Sequence, residues 1–381
     1  MVSIDDAAGS VHPHKCLEST PASPIARLPV ETLQHIFVHS ILSMPQLGFQ
    51  GVDHSDMPVL PFSEPNLAQP PLLLTRVCTS WRAISISTPE LWSSVRVSIR
   101  GRSHYRGRGE LLRPMLEAWL RNAQIQPLNI VLDNPGYQFS AIPPPGSLWD
   151  YILPVFMSHA SHWSTLIASP GIAEYLLERK VHMPMLKTFS SQKLASTRSV
   201  DILRLVPKLS SLSVAILDDK WLLPEGVAQG LQHLSLLMCD TALDVLTILA
   251  YFPRLLSFQL RTCWNDELRG TTTTRLVVHR TLEQFVIPCT VVLPCVRDML
   301  SLPSLRTMTV TGMWGATQMQ SVGLMLSRSS CSLEYLEFSG SIHDIDIEIW
   351  YEVERLFLFS PHIRVYHVDF ERPSSLSLGW S

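Results

Sequence analysis

His159 and His162 form an HxxH pair that could offer two imidazoles to a metal ion. They sit among serines and beside Trp163, with no carboxylate near them in the chain. Zinc sites draw three or four ligands from recognisable groups, so this pair is too small a set. Asp344, Asp346 and Glu348 alternate along residues 342–349. Paired acids can do general acid–base work, but alternation of this kind describes the polar face of a strand or helix. Seven cysteines are present, an odd number with no CxxC pair. The closest two, Cys289 and Cys295, follow Ile287-Pro288 and Leu293-Pro294, apolar flanks that suit buried, reduced thiols. Nothing resembles a P-loop, a GxSxG elbow, an HExxH site or a Gly-rich dinucleotide turn. The expectation is a protein that is not an enzyme, with no catalytic residue, metal or cofactor.

Residues 100–109 interleave four arginines with glycines and Tyr105, and could touch phosphate and base of a single strand. No aromatic platform accompanies them and Glu110 follows at once, which fits a solvated linker better. The formal net charge of -3 gives no electrostatic reason to expect nucleic acid or an anionic membrane as partner. The acidic N-terminus lacks the basic-then-apolar layout of a signal peptide. The apolar run at residues 245–252 stops at Pro253, far short of the ~20 residues a membrane span needs. With reduced cysteines, this implies the cytoplasm or nucleus. A hydrophobic content of 46% against 17% charged residues calls for long buried faces. The 381 residues suffice for two or three domains.

The elements follow from local patterns. Residues 1–22 lack periodicity and read as a disordered tail. Pro29 suits a first helical position and Glu31 the first turn of a helix, after which Leu33, Ile36, Phe37, Ser40 and Ile41 recur at helical spacing as one stripe. Residues 43–71 are rich in Pro, Gly, Ser, Asp and Asn and read as an inserted loop. A second helix is expected over residues 72–84, with Leu74, Val77, Cys78 and Trp81 on one face. A third short one opens at Pro89 and turns Leu91 and Trp92 inward. A helix over residues 110–122 presents Leu112, Met115, Leu116, Trp119 and Leu120. Leu128, Ile130 and Leu132 then alternate like a half-buried strand.

Further on, one phrase returns with first leucines at Leu186, Leu209, Leu231, Leu255, Leu282, Leu305 and Leu333, spaced by 23, 22, 24, 27, 23 and 28 residues. Trp163 lies another 23 residues earlier. The phrase is close to L-x-x-L-x-L, the strand half of a leucine-rich repeat, and the spacing is near the repeat's length. Stacked units of this kind would bury a continuous core. Pro184, Pro207, Pro253 and Pro303 end the preceding element before several of the phrases. The Asn typical of such repeats is missing, so the expectation is an irregular set. Lys187, Gln232, Gln259, Arg306 and Glu334 should face solvent, with mixed charge.

Residues 28–37 read L-P-x-E-x-L-x-x-I-F, residues 73–82 read L-L-x-x-V-C-x-x-W-R, and residues 87–92 read S-T-P-x-L-W. These phrases resemble the F-box domain, most closely the fungal F-box-like group. Residues 111–120, 127–133 and 162–163 also look like features of that group, so the resemblance covers roughly residues 23–135. It implies an α/β chain with an N-terminal three-helix F-box followed by an irregular leucine-rich-repeat solenoid. The implied division is a tail at 1–22, the F-box at 23–95 with its loop at 43–71, a linker and helix at 96–125, the repeats at 126–372 and a tail at 373–381. It also implies a substrate-recruiting subunit of an SCF-type cullin–RING ubiquitin ligase, acting in protein degradation. The F-box would bind a Skp-type adaptor, and through it the cullin scaffold, while the repeats hold an unidentified substrate protein. By position, the adaptor-facing residues would be Leu28, Pro29, Leu33, Ile36, Phe37, Leu74, Val77, Cys78, Trp81 and Trp92. Helical packing alone would assign some of them to the module's own core. The alternative is a non-ligase interaction scaffold in which the F-box-like segment is only an end cap.

Overall fold

A computed structural model of the chain describes residues 24–42, 63–99, 109–134, 147–191, 205–215, 229–265, 276–291, 297–342, 347–365 and 368–371. Wherever the recurrent phrase occurs, its second half is a strand. In β5 (Ser211–Val214) Leu212 and Val214 are buried while Ser211 and Ser213 remain half-exposed. That alternation is what a strand with one covered face requires.

Among the described residues, twelve strands join in one sheet. They are β1 (Ser94–Ser98), β2 (Leu128–Asp133), β3 (Trp163–Ala168), β4 (Thr188–Ser191), β5, β6 (His233–Thr241), β7 (Ser257–Asn265), β9 (Gln284–Pro288), β11 (Thr307–Trp314), β12 (Tyr335–Ile342), β13 (His362–Val365) and β14 (Val368–Glu371). Spatial order follows chain order, and every pairing is parallel except the last, β13 with β14. The short strands β8 (Val277–Val278) and β10 (Leu300–Ser301) pair apart from the sheet. Because register partners share a face, like positions of successive phrases line up. Leu212, Leu234, Phe258, Phe285, Met308, Leu336 and Ile363 form one buried row across seven strands. The crossovers include helices α3 (Gly109–Ala123), α4 (Leu148–Met157), α5 (Pro170–Glu178), α6 (Ala242–Tyr251), α7 (Ala316–Ser329) and α8 (Ile347–Leu356).

A separate three-helix F-box followed by a leucine-rich-repeat solenoid is not what forms. The fold is mixed α/β, built on one sheet of eleven parallel strands closed by an antiparallel twelfth. Among the described residues, the N-terminal part holds two α-helices, α1 (Val30–Leu42) and α2 (Thr79–Ile86), with 3-10 turns at Pro24–Arg27, Leu74–Arg76 and Pro89–Trp92. Its buried side chains belong to the same core as the sheet. Two contacts explain the merger. Trp92 packs edge-on against Trp119 of α3 at 5.3 Å, and the Trp119 Nε1–H donates to the Trp92 carbonyl at 2.9 Å. Ser63 bridges to Val95, with Arg96 N–H donating to the Ser63 carbonyl at 2.8 Å, so the N-terminal chain covers the edge of β1. The crossovers are also unequal, from the 14-residue α7 to three-residue helical turns at Cys289–Val291 and Arg297–Met299. What does recur is the turn entering the strand: Leu186, Leu209, Leu255 and Leu305 N–H each donate to the carbonyl three residues earlier.

Local expectations are corrected in two further places. The helix expected over residues 72–84 is interrupted at Cys78, whose extended backbone (φ -158°, ψ 172°) makes it the cap of α2. Its Sγ accepts from Trp81 N–H at 3.4 Å, standing in for the usual oxygen acceptor. Val131 is as buried as Leu128, Ile130 and Leu132, so β2 is covered on both faces rather than half-buried. The tail at 1–22, residues 43–62 of the inserted loop, the Arg-rich residues 100–108, Asp344, Asp346, Cys295 and the tail at 373–381 lie outside the described residues. Among the described residues, no helix is long and apolar enough to cross a membrane.

Candidate docking surface

Val30, Leu33, Phe37 and Ile41 follow the i, i+3, i+7, i+11 spacing that makes one stripe on a helix. Leu33, Phe37 and Ile41 are 4%, 1% and 7% exposed, whereas Val30, on the same stripe, is 50% exposed. The apolar face of α1 thus runs past the end of the core that covers it. Val30 is not isolated. Ile25 and Leu28 precede it on the turn into the helix, and Ile36 flanks the stripe at 44% exposure. Across the hairpin, Leu73 and Val77 flank the 3-10 turn at Leu74–Arg76, and Ile86 closes α2; all three are exposed. Among the described residues, eight of the seventeen exposed large hydrophobics lie between Ile25 and Ile86. Scattered apolar residues are ordinary on a surface; a concentration on one small part marks an interaction site.

These elements are held in place by specific contacts. Phe37 meets Trp81 with ring centroids 4.8 Å apart, which pins α1 to α2. Arg82 Nε–H donates to the Thr75 carbonyl at 2.7 Å and Thr75 Oγ1–H to the Leu72 carbonyl at 2.8 Å, tying the 3-10 turn to α2. Trp92 Nε1–H donates to the Ser85 carbonyl at 2.8 Å, locking the closing turn beneath α2. Thr88 does not cap that turn through its side chain; its hydroxyl donates back to the Ile84 carbonyl at 2.7 Å.

The ten residues picked out by the resemblance therefore separate. Leu33, Phe37, Leu74 and Trp92 are buried in the protein's own core. Leu28, Pro29, Ile36, Val77 and Cys78 are exposed, and Trp81 is partly so, its ring tilted against Phe37. Val30, Leu73, Ile25 and Ile86 were not in that set. The stripe spacing that begins at Val30 was the available signal for the first of them.

Elsewhere the candidate chemistry disperses. No group of three or more His, Cys, Asp or Glu side chains could hold a metal among the described residues. The pKa of His159 is lowered by burial and secondarily by the neighbouring His162. Glu348 lies at the start of α8. Cys239, Cys289 and Cys331 are buried, and burial pushes the Cys331 thiol up. Cys78 is exposed and Cys263 partly so. Lys187, Gln232, Arg306 and Glu334, each just before its strand, are exposed, and Gln259, within β7, is half-buried. Arg306 lies 3.1 Å from Glu334 and 3.9 Å from Glu283, an exposed pairing of little energetic weight.

No protein-family model matches the chain, and no curated protein matches it.

Proposed function

We propose that this chain is a non-catalytic recruiting subunit of an SCF-type cullin–RING ubiquitin ligase. The N-terminal surface docks a Skp-type adaptor and the sheet-bearing remainder holds a target protein. The observation that carries this reading is the α1 stripe that leaves the core at Val30, in the segment whose phrases resemble an F-box. An apolar helix face without cover is the form of a helix-docking partner site. The ligase would accelerate ubiquitin transfer by proximity, raising the effective concentration of target near the charged carrier. Purified chain mixed with a Skp-type adaptor should elute as a complex, and Val30→Asp with Ile36→Asp should abolish it. Failure of the unsubstituted chain to bind any such adaptor sinks the proposal.

A second reading is favoured by the contact of Ser63 with β1. Here the N-terminal segment only closes the sheet's edge in a protein-interaction scaffold outside any ligase. In that case the double substitution leaves every interaction of the chain unchanged. Deleting residues 1–92 then yields aggregates through the bared β1 edge.

A further inference from the structure

Cys239 and Cys263 are register partners on the neighbouring parallel strands β6 and β7. Each lies eight residues after the first leucine of its phrase, Leu231 and Leu255, so the 24-residue spacing brings them level. Parallel strands lie about 4.7–4.9 Å apart, inside the Cα separation of about 4.4–6.8 Å that a disulfide bridges. Register partners also project to the same face, so the two thiols point the same way. The level is pinned beside them by Thr262 Oγ1–H, which donates to the Leu237 carbonyl at 2.7 Å. Both residues are reduced thiols in this structure; Cys239 is buried and Cys263 is partly exposed.

The geometry points to a reversible disulfide between Cys239 and Cys263, formed when the protein meets a hydroperoxide. The two positions divide the work. Cys263, within reach of solvent, attacks the peroxide as thiolate. An S–O bond forms, the O–O bond breaks, and the other oxygen leaves as an alcohol or as water after taking a proton. The Cys239 sulfur then attacks the sulfenic sulfur of Cys263. An S–S bond forms, the S–O bond breaks, and hydroxide leaves as water with the Cys239 proton. In sum two thiols lose two hydrogens and one peroxide is reduced. Burial of Cys239 shields it from direct oxidation and reserves it as the resolving thiol. A bridge directly across two strands departs from relaxed geometry, which makes it easily reduced and so suited to a reversible role.

The test uses the full chain. It is exposed to hydrogen peroxide, alkylated with N-ethylmaleimide and digested with trypsin without reductant. Cys239 falls in the peptide 221–254 and Cys263 in 262–269, so a bridge joins two otherwise separate fragments. The expected result is that most of both alkylated peptides disappear into one cross-linked species, which dithiothreitol returns to its parts. Cys263→Ser should lose that species and Cys78→Ser should keep it. Recovery of both peptides alkylated, conversion of Cys263 to sulfinic acid without a cross-link, or a link from Cys263 to Cys289 would each overturn the assignment.

Discussion

Gly312 and Gly340 face each other in register on β11 and β12, and both have positive φ, 101° and 126°. A Cβ on Gly340 would collide with the Gly312 carbonyl oxygen and lie 2.9 Å from its nitrogen. The paired strands hold this positive-φ backbone side by side because neither residue carries a side chain. The pair lies just before Trp314, whose buried ring packs on Phe338 at 5.4 Å.

Gly340→Ala should accordingly cost about 3 kcal/mol, combining left-handed strain with a backbone clash. Gly312→Ala should cost less, since its Cβ would meet only the Cys289 sulfur, at 3.3 Å. Urea midpoints would show it; equal, negligible shifts for the two would contradict the relationship.

The α1 stripe predicts a split between stability and binding. Phe37→Ala should lose about 3–5 kcal/mol of folding stability, as large-to-small core changes do. Val30→Asp and Ile36→Asp should each change stability by less than about 0.5 kcal/mol, being surface changes. Adaptor capture should be lost in the two surface variants while their thermal midpoints stay at the parent value.

The tie between the N-terminal elements and the sheet predicts that Trp119→Phe removes one buried hydrogen bond and leaves the Trp92 carbonyl unpaired. The expected cost is about 1–3 kcal/mol. Comparing denaturation followed by Trp fluorescence with that followed by circular dichroism tests whether the N-terminal part still unfolds with the sheet. Coincident transitions in the parent protein are expected from the shared core.

His279 should make the fold sensitive to acid. Its ring is buried, its Nε2–H donates to the Phe252 carbonyl at 2.9 Å, and its Nδ1 finds no hydrogen-bond partner among the described residues. Burial pulls its pKa below 6.5, opposed in part by the bond to Phe252. With the folded pKa below the unfolded one, the unfolded state binds the proton first. Stability is therefore whole above pH 6.5 and falls as the pH drops from there toward the folded pKa. Burial acts in the same direction on His159 and His233. Stability measured from pH 8 to pH 5 should fall less steeply in His279→Gln, and an unchanged slope would remove His279 as the cause.

Several features were legible in the chain itself. Leu33, Phe37 and Ile41 announce a buried helix face through their spacing alone, and the recurrent phrase marks where strands form. Both are local periodicities that depend only on the geometry of a helix or a strand. The division of the ten resemblance residues was not legible, because Phe37 and Ile36 are adjacent, equally apolar, and differ only in what lies beside them. Nor was the unity of the fold. The phrases suggested stacked units and a detached helical module, yet Trp92 meeting Trp119 and Ser63 meeting Val95 join residues distant in sequence. Cys239 and Cys263 show both sides of the matter. Their offset from each phrase is written in the chain, but only the parallel register of β6 and β7 sets one thiol beside the other. Sequence determines which residues seek burial and at what period, since those are properties of side chains and local backbone. Which of them finds cover is decided by tertiary packing, because cover is supplied by elements far away in the chain.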